Sequence, residues 1–257
     1  MKTLVRTIVF LVTMVFSLSM GAPAVFAEMT GPQEVEDKLA PIRKEVQNYL
    51  TEGKPVLLYF FSETIQDSRE GIDELTRVAR EHGAEIVTLE AMDYPVLRYS
   101  YNVDFVPTVF SIHPEAGLNG VWIVDLPAED IVRSLEKDIR PTRAQKKIAT
   151  GIQDGMPQML FFMADWCGYC NRIIPQVEKF EKEFSDRVNV VTIDLDEEGQ
   201  IADPYFVSGV PSILITGPSG LVLRRTGYPA GYAEYKELFN EIGVDLNSGK
   251  VSDQNKQ

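Results

Sequence analysis

The chain has 257 residues, of which 44% are hydrophobic, and it carries a formal net charge of −13. This length is enough for two ordinary domains, and the negative charge argues against nucleic acid or an anionic membrane surface as a partner. The only two cysteines, Cys167 and Cys170, lie three residues apart. They leave three alternatives open: a structural disulfide, half of a metal site, or a reactive pair.

The N-terminal residues have the pattern of a secretory signal peptide. Lys2 and Arg6 precede an apolar run over residues 8–20, and small residues lead up to Ala27. The pattern predicts that residues 1–27 are cleaved off and that the protein reaches a periplasm. An uncleaved anchor helix is the alternative, but it would have to include a glycine and a proline.

The first half of the remaining chain alternates helical and strand patterns. An amphipathic helix is predicted over residues 32–50, and an almost wholly apolar strand follows over residues 56–61. A strand that is apolar throughout is expected at the centre of a sheet covered on both faces. The order continues with a helix over residues 72–82, a strand over residues 86–89, a polar helical segment and two hairpin strands.

The second half of the chain repeats this order. The predicted elements are helices over residues 142–152, 170–184 and 233–243, and strands over residues 158–163, 188–193, 211–216 and 221–227. Three pairs of segments align: residues 54–64 with 156–166, 85–90 with 189–194, and 103–110 with 207–214. Such an internal repeat indicates two copies of one domain.

The fold class that this order indicates is α/β. Strands that alternate with helices and end in a hairpin predict two domains, each with a mixed central sheet sandwiched by helices. The expected ranges are residues 32–138 and 142–246, with a polar tail over residues 247–257 that is expected to be disordered. The second domain, from Thr142 onward, is expected to fold alone.

The second domain resembles the thioredoxin superfamily. The resemblance depends on three features together: the sequence Trp-Cys-Gly-Tyr-Cys at residues 166–170, Pro175, and Gly-Val-Pro-Ser at residues 209–212. It extends over about residues 142–244.

The first domain has the same framework without the cysteines. Ile65 and Ser68 stand where the cysteines would be, as in the redox-inactive thioredoxin domains found beside active ones in protein disulfide isomerases. This domain could hold substrate peptides, dimerise or dock a redox partner, which defines a binding-protein alternative. The preferred interpretation of its aromatic residues Tyr99, Tyr101 and Phe105 is that they pack its own core or the interface with the second domain.

The resemblance implies a thiol–disulfide oxidoreductase. Cys167 is expected at the start of a helix, where free backbone N–H groups and the helix dipole favour its thiolate form, which makes it the nucleophile. Cys170, one turn further along the same face, is the resolving thiol. The expected partners are protein thiols and disulfides, and a membrane or soluble redox protein that recycles the pair. No cofactor and no metal are expected.

The same resemblance implies a substrate-binding rim around the cysteine pair. Its predicted residues are Trp166, Gly168, Tyr169, Gly209, Val210 and Pro211. Pro211 is expected to have a cis peptide bond and to pack against the pair, and the Val210 backbone is expected to pair with a substrate peptide like an added strand.

The sequence departs from the thioredoxin pattern at several positions. Phe161 replaces a buried acidic residue that assists proton transfer, and Thr192 stands near the position of the accompanying lysine. The middle dipeptide is Gly168-Tyr169 instead of Gly-Pro, as it also is in periplasmic disulfide isomerases, but those typically place threonine where this chain has Val210. The motif therefore indicates thiol–disulfide chemistry and leaves open reduction, oxidation or isomerisation.

Other chemistries are less well supported by the residues available. His82 and His113 lie in the first domain and are expected in a surface loop or at a helix end, so a zinc site lacks ligands and a cysteine hydrolase lacks its base. Two thiolates could bind Cu(I), so a copper-handling thioredoxin-like protein is the alternative function. The acidic residues 194–199 are expected to be solvated surface.

Overall fold

The computed structural model describes residues 32–123, 127–135, 139–226 and 231–246. The predicted signal peptide and C-terminal tail lie outside these residues. None of the described helices is long and apolar enough to cross a membrane.

The first part of the structure is a four-stranded mixed sheet with the strand order β2-β1-β3-β4. Its elements are α1 (Pro32–Thr51), β1 (Val56–Phe61), α2 (Gln66–Glu81), β2 (Glu85–Glu90), α3 (Pro95–Ser100), β3 (Thr108–His113), β4 (Gly117–Ile123) and α4 (Ala128–Leu135). Strand β2 runs parallel to β1, and β3 runs antiparallel to both β1 and β4.

Strand β1 lies at the centre of this sheet because its side chains are apolar on both faces. Leu58 and Phe60 belong to a cluster that includes residues of α1 and α3, whereas Leu57 and Tyr59 pack in a second cluster with residues of α2 and α4. Successive side chains of a strand point to opposite faces. The prediction that this strand is buried on both faces is confirmed.

The second part repeats the same topology with the strand order β6-β5-β7-β8. Its elements are α5 (Arg143–Gln153), β5 (Gln158–Met163), α6 (Gly168–Phe184), β6 (Asn189–Asp194), α7 (Leu195–Glu198), a 3₁₀ turn (Gly199–Ile201), β7 (Ser212–Thr216), β8 (Val222–Thr226) and α8 (Tyr232–Asn240). The predicted fold class, two mixed α/β sheets flanked by helices, is confirmed.

Helix α2 begins at Gln66, six residues before the predicted start. In its first turn Gln66, Arg69 and Glu70 are exposed, whereas Ser68 is fully buried. The hydrophobic periodicity that predicts a helix begins only at Ile72, so it does not report a polar first turn.

The two sheets share one continuous hydrophobic cluster. Buried members from the first part include Leu50, Phe110 and Leu118, and those from the second part include Ile148, Ile152 and Tyr205. Hydrogen bonds also join the two parts: the Gln47 side chain donates to the carbonyl oxygen of Ile152 at 2.6 Å, and the Gln153 side chain donates to that of Leu50 at 3.2 Å.

The aromatic residues around α3 differ from one another in their environment. Tyr101 is fully buried, and its hydroxyl accepts a hydrogen bond from the Val222 amide at 3.3 Å. Tyr99 and Phe105 are exposed, because Tyr99 lies on the outer side of α3 and Phe105 lies in the turn before β3. The packing interpretation is therefore right for Tyr101 and wrong for Phe105, whereas Tyr99 is exposed but interacts electrostatically with Arg225 of the second domain.

Candidate active site

The two cysteines lie where β5 leads into α6. Cys167 is the N-cap residue of α6, and its Sγ accepts a hydrogen bond from the amide of Cys170 at 3.1 Å. Cys167 is 5% exposed and Cys170 is 0% exposed, so the first cysteine lies nearer to solvent than the second. The predicted position of Cys167 at the helix start is confirmed.

Cys167 and Cys170 form a disulfide in this structure, with their Cα atoms 5.2 Å apart. The bond closes a loop of very few residues, and a disulfide stabilises a fold mainly by closing a long loop in the unfolded chain. The structural-disulfide alternative is therefore weak. The pair is able to form a disulfide because both cysteines lie at the first turn of α6.

Two aromatic side chains flank the cysteine pair at the surface. Trp166 is 75% exposed and Tyr169 is 56% exposed, although both side chains are large and apolar. The Arg172 guanidinium lies 5.2 Å from the centre of the Tyr169 ring, in cation–π contact. Gly168, between the aromatic residues, is the first residue of α6 and is also exposed.

The segment before β7 lies at the same edge of the sheet as the cysteines. Strand β7 begins at Ser212, which pairs with Phe162 near the end of β5. The Val210–Pro211 peptide bond is cis, as the resemblance implies. Gly209 is exposed, Val210 is half-buried and Pro211 is buried, so accessibility falls along this segment toward the sheet.

Asp196 is a site residue that the sequence reasoning missed. One carboxylate oxygen accepts a hydrogen bond from the Trp166 indole Nε1, and the other accepts one from the Asp165 amide, both at 3.1 Å. Asp196 lies at the surface, as expected for residues 194–199, but it also positions Trp166. The available signal was the position of Asp196, two residues after a strand that ends at the same edge of the sheet as β5.

Glu198 is a second residue of this surface segment with a structural contact. Its carboxylate lies 3.1 and 3.4 Å from the amide of Ala144, in the first turn of α5. A carboxylate at a helix N-terminus is stabilised by the free N–H groups and the helix dipole. This acidic segment therefore forms hydrogen bonds both to the loop that carries Trp166 and to the first turn of α5.

Phe161 occupies the interior of β5 and is fully buried. It pairs in register with Thr192 of β6. The two positions at which thioredoxins carry an acid and a lysine thus lie on adjacent strands here, and neither residue is ionisable. Strand β5 itself contains no aspartate or glutamate that could replace the missing acid.

The described residues contain no group of three or more histidine, cysteine, aspartate or glutamate side chains that could hold a metal ion. His82 caps the end of α2 and is exposed, as predicted. His113 is instead the last residue of β3 and is half-buried, so its predicted location is wrong. Among the described residues, a Cu(I) site at Cys167 and Cys170 would therefore have no third ligand from these four residue types.

A Cys-x-x-Cys pair at a helix start, at the same edge of a mixed four-stranded sheet as a cis-proline, defines a thioredoxin-like dithiol–disulfide protein. The family model for thioredoxin matches residues 142–238. Thioredoxin of Bacillus subtilis (strain 168) is 34% identical over 80 residues, which cover 31% of this chain and 76% of that protein. Thioredoxin 1 of Chlorobaculum tepidum is 31% identical over 87 residues, which cover 34% of this chain and 82% of that protein. The chain belongs to the thioredoxin family.

Two further similarities are more limited in extent. The chloroplastic thioredoxin-like protein HCF164 of Oryza sativa subsp. japonica is 34% identical over 101 residues, which cover 38% of this chain and 37% of that protein. A solved structure of thioredoxin-2 of the malaria parasite is 22% identical with a TM-score of 0.32, and the match covers 34% of this chain and 82% of that chain.

Proposed function

We propose that the protein is a secreted thiol–disulfide oxidoreductase that exchanges disulfides with protein substrates through Cys167 and Cys170. The observation that carries this proposal is the difference between the two cysteines: Cys167 caps α6 near the surface, whereas Cys170 is fully buried one turn away. A nucleophile has to reach its substrate, and a resolving thiol only has to reach the nucleophile.

The reaction proceeds in two exchange steps. In the reduced protein the Cys167 thiolate attacks one sulfur of a substrate disulfide, so that a mixed disulfide forms and one substrate thiolate leaves. Cys170 then loses its proton and attacks the Cys167 sulfur, which forms the intramolecular disulfide and releases the second substrate thiolate. Two electrons pass from the cysteine pair to the substrate, and the reverse sequence oxidises a substrate dithiol.

The rim residues are proposed to hold the substrate against this pair. Trp166, Gly168 and Tyr169 present an exposed surface on one side, and Gly209 and Val210 lie at the same edge of the sheet. The Val210 backbone would pair with an extended substrate segment, and Pro211 would pack against the disulfide. A membrane or soluble redox protein would return the pair to its starting state.

Export is supported by the sequence of the N-terminal segment. The mature protein would begin at Glu28 and work in a periplasm, where thiol–disulfide exchange with folding or folded proteins is possible. Cell fractionation and the intact mass of the isolated protein test this point. A protein that retains residues 1–27 would contradict cleavage.

The roles of the cysteines are tested by trapping substrates. Cys170→Ser should accumulate mixed disulfides that are visible on non-reducing gels, and Cys167→Ser should not, because it lacks the attacking thiol. The double variant is the background control. If only Cys167→Ser traps substrates, the two roles are reversed; if neither traps and the reduced protein retains copper, the Cu(I) alternative replaces this proposal.

A further inference from the structure

Residues 205–211, here called the rim segment, connect the interior of the molecule to the predicted substrate-binding rim. They lie between the 3₁₀ turn and β7, and they end in the rim residues Gly209, Val210 and Pro211. Tyr205, at the start, is 1% exposed, whereas Gly209 lies at the surface. The rim segment therefore begins in the core and ends at the edge of the sheet that carries the cysteine pair.

The first domain contacts both residues at the start of the rim segment. The Tyr205 hydroxyl accepts a hydrogen bond from the Leu118 amide of β4. The Phe206 ring lies 6.0 Å, centre to centre, from the ring of Phe110 in β3, in an edge-on arrangement. Leu118 and Phe110 are buried, and their strands are neighbours in the first sheet. The start of the rim segment is thus packed against two paired strands of the other domain.

Arg225 of β8 joins the same two residues to a third element of the first domain. Its guanidinium group donates to the carbonyl oxygens of Tyr205 and Phe206. The same group donates to the carbonyl oxygen of Ser100, at the end of α3. Because the donors of a guanidinium group have a fixed planar geometry, the position of Ser100 constrains that of the rim segment.

Phe206 has a backbone conformation that needs such support. Its φ is 50°, in the left-handed region, which bulky residues rarely adopt. The corresponding residue of the first domain is Asn102, with a φ of 52°, and asparagine adopts this region more readily. A residue in a sparsely populated conformation persists where the surrounding structure holds it. For Phe206 the contacts with Arg225 and Phe110 provide this support.

The two ends of the rim segment are therefore anchored differently. Strand β7 anchors one end within the second domain, since Ser212 pairs with Phe162 of β5. The first domain and Arg225 anchor the other end. Gly209 lies between the anchors, and a glycine leaves the backbone the most freedom if an anchor is lost. A binding segment held at both ends pays less ordering entropy when its partner binds.

We propose that the first domain is a positioning unit for the substrate rim of the second domain. Its contacts with the start of the rim segment hold Gly209 and Val210 where the backbone of a substrate pairs with them. Tyr205 and Arg225 are then positioning residues, because they act through the rim segment. This inference rests on the proposed exchange function, and it gives the cysteine-free domain a part in that reaction.

The first domain offers a matched contact for the test. Tyr101 corresponds to Tyr205 in the repeat, and its hydroxyl accepts a hydrogen bond from the Val222 amide of the second domain at 3.3 Å. Leu118 and Val222 correspond as well, so the two tyrosines make reciprocal contacts across the domain interface, as in an isologous dimer. The segment that follows Tyr101, however, leads to an edge without cysteines.

The kinetic test compares two substrates at saturating dithiothreitol: a peptide dimer joined by one disulfide, and hydroxyethyl disulfide. Tyr205→Phe should raise the KM of the peptide about fivefold with kcat unchanged, because it loosens a binding segment and leaves the cysteine pair intact. Arg225→Met should raise this KM further, and Arg225→Lys should give a KM between those of the wild type and Arg225→Met. Hydroxyethyl disulfide has no peptide backbone, so every variant should reduce it at the wild-type rate.

Tyr101→Phe is the matched control, because it removes the equivalent buried hydroxyl and its hydrogen bond to the other domain. It should lower the free energy of unfolding by a similar amount to Tyr205→Phe, but the KM of the peptide should stay at the wild-type value. An equal rise of this KM in both tyrosine variants would overturn the proposal, because a general loss of domain packing would then explain it.

Hydrogen exchange measured by mass spectrometry tests the positioning role without turnover. The amides of residues 207–210 should exchange about fivefold faster in Tyr205→Phe than in the wild type or in Tyr101→Phe. If this holds but the wild type reduces neither disulfide, only the proposed function is contradicted. Unchanged exchange, or faster exchange with an unchanged peptide KM in an active protein, would contradict only the positioning role.

Discussion

The guanidinium group of Arg225 in β8 donates two hydrogen bonds to the carbonyl oxygen of Ser100 at the end of α3, at 2.9 and 3.3 Å. Its nitrogens also donate to the carbonyl oxygens of Tyr205 at 2.7 Å and Phe206 at 3.1 Å. One side chain therefore joins the first domain to the segment that leads to Gly209. The fixed fork of five donors explains why arginine suits this position.

Arg225→Met should lower the free energy of unfolding by about 3 kcal/mol, because three carbonyl oxygens lose a charged donor in a largely buried setting. The free energy of unfolding of Arg225→Lys should lie between those of the wild type and Arg225→Met, because one ammonium group cannot make all the hydrogen bonds of the guanidinium group. Urea unfolding followed by circular dichroism measures the change. The neighbouring Arg224, whose Nε bonds Glu241 at 2.9 Å near the surface, is the matched control: Arg224→Met should cost less than about 1 kcal/mol, and equal losses would contradict the prediction.

A fragment that starts at Thr142 is expected to fold alone, but it should be less stable than the full chain. The first domain covers Ile148, Ile152 and Tyr205 as part of one cluster. Removing it exposes these side chains to water and breaks the bonds of Arg225 to Ser100. We expect the fragment to unfold at a lower urea concentration and to bind a hydrophobic dye. A fragment as stable as the full chain would show that the shared cluster contributes little.

Asp196→Ala should slow the turnover of protein disulfides about fivefold, since it removes two hydrogen bonds that position Trp166 and the start of the active-site loop. Trp166 fluorescence, recorded in a Trp122→Phe background, should change at the same time because the indole loses its partner. Glu197→Ala is the control for removing a negative charge from this exposed segment. If both substitutions slow turnover equally, charge and not positioning is responsible.

The reduced protein should have a Cys167 thiol whose pKa lies below that of a typical thioredoxin. Phe161 takes the place of a buried carboxylate, whose charge would disfavour a nearby thiolate, while the helix N-terminus remains. The Asp196 carboxylate is exposed, so water and salt screen its effect on the Cys167 thiolate. A more stable thiolate stabilises the reduced form, so the reduction potential should lie above about −270 mV.

Thiolate absorbance against pH and equilibration with glutathione measure these two quantities separately. Phe161→Leu is the matched control: it keeps the position apolar, so the Cys167 pKa and the reduction potential should not change. A Cys167 pKa at or above that of thioredoxin, together with a potential at or below it, would mean that another buried group acts in place of the missing acid.

The stability of the protein should fall as the pH decreases below the ordinary pKa of histidine, in part because of His113. Burial lowers the pKa of His113, and Glu115 only partly opposes this shift. The His113 Nδ1 also accepts a hydrogen bond from the Glu115 amide at 3.1 Å, which requires the neutral ring. The unfolded state therefore takes up the proton first, and stability is full above the unfolded pKa and is lost from there down to the folded pKa.

Comparing the wild type with His113→Gln at several pH values measures this contribution. Urea midpoints of the two proteins should converge as the pH falls from about 7.5 to about 5, since only the wild type loses the His113 contribution. His82→Gln is the control, because His82 is exposed at the end of α2. A constant difference between wild type and His113→Gln would show that His113 does not titrate in this way.

Local patterns in the sequence were sufficient for the order of the elements and for part of the site. Apolar runs predict β1 and β5 as central strands, because a strand covered on both faces must be apolar at every position. The spacing of Cys167 and Cys170 at the start of a helical pattern predicts a cap residue and a second thiol one turn away. In the polar first turn of α2 there is no hydrophobic periodicity, so the predicted start of this helix was six residues too late.

The contacts that only the tertiary structure decided join residues that are distant in the chain. Asp196 reaches Trp166 across 30 residues and Arg225 reaches Ser100 across 125. The exposure of Ile65 and Met92 at one edge of the sheet likewise depends on the register of β1 and β2. Hydrophobic periodicity reports which face of an element is buried, but not what lies against it. Those pairings are fixed by strand register and by the packing of two domains around one cluster, which no short stretch of sequence encodes.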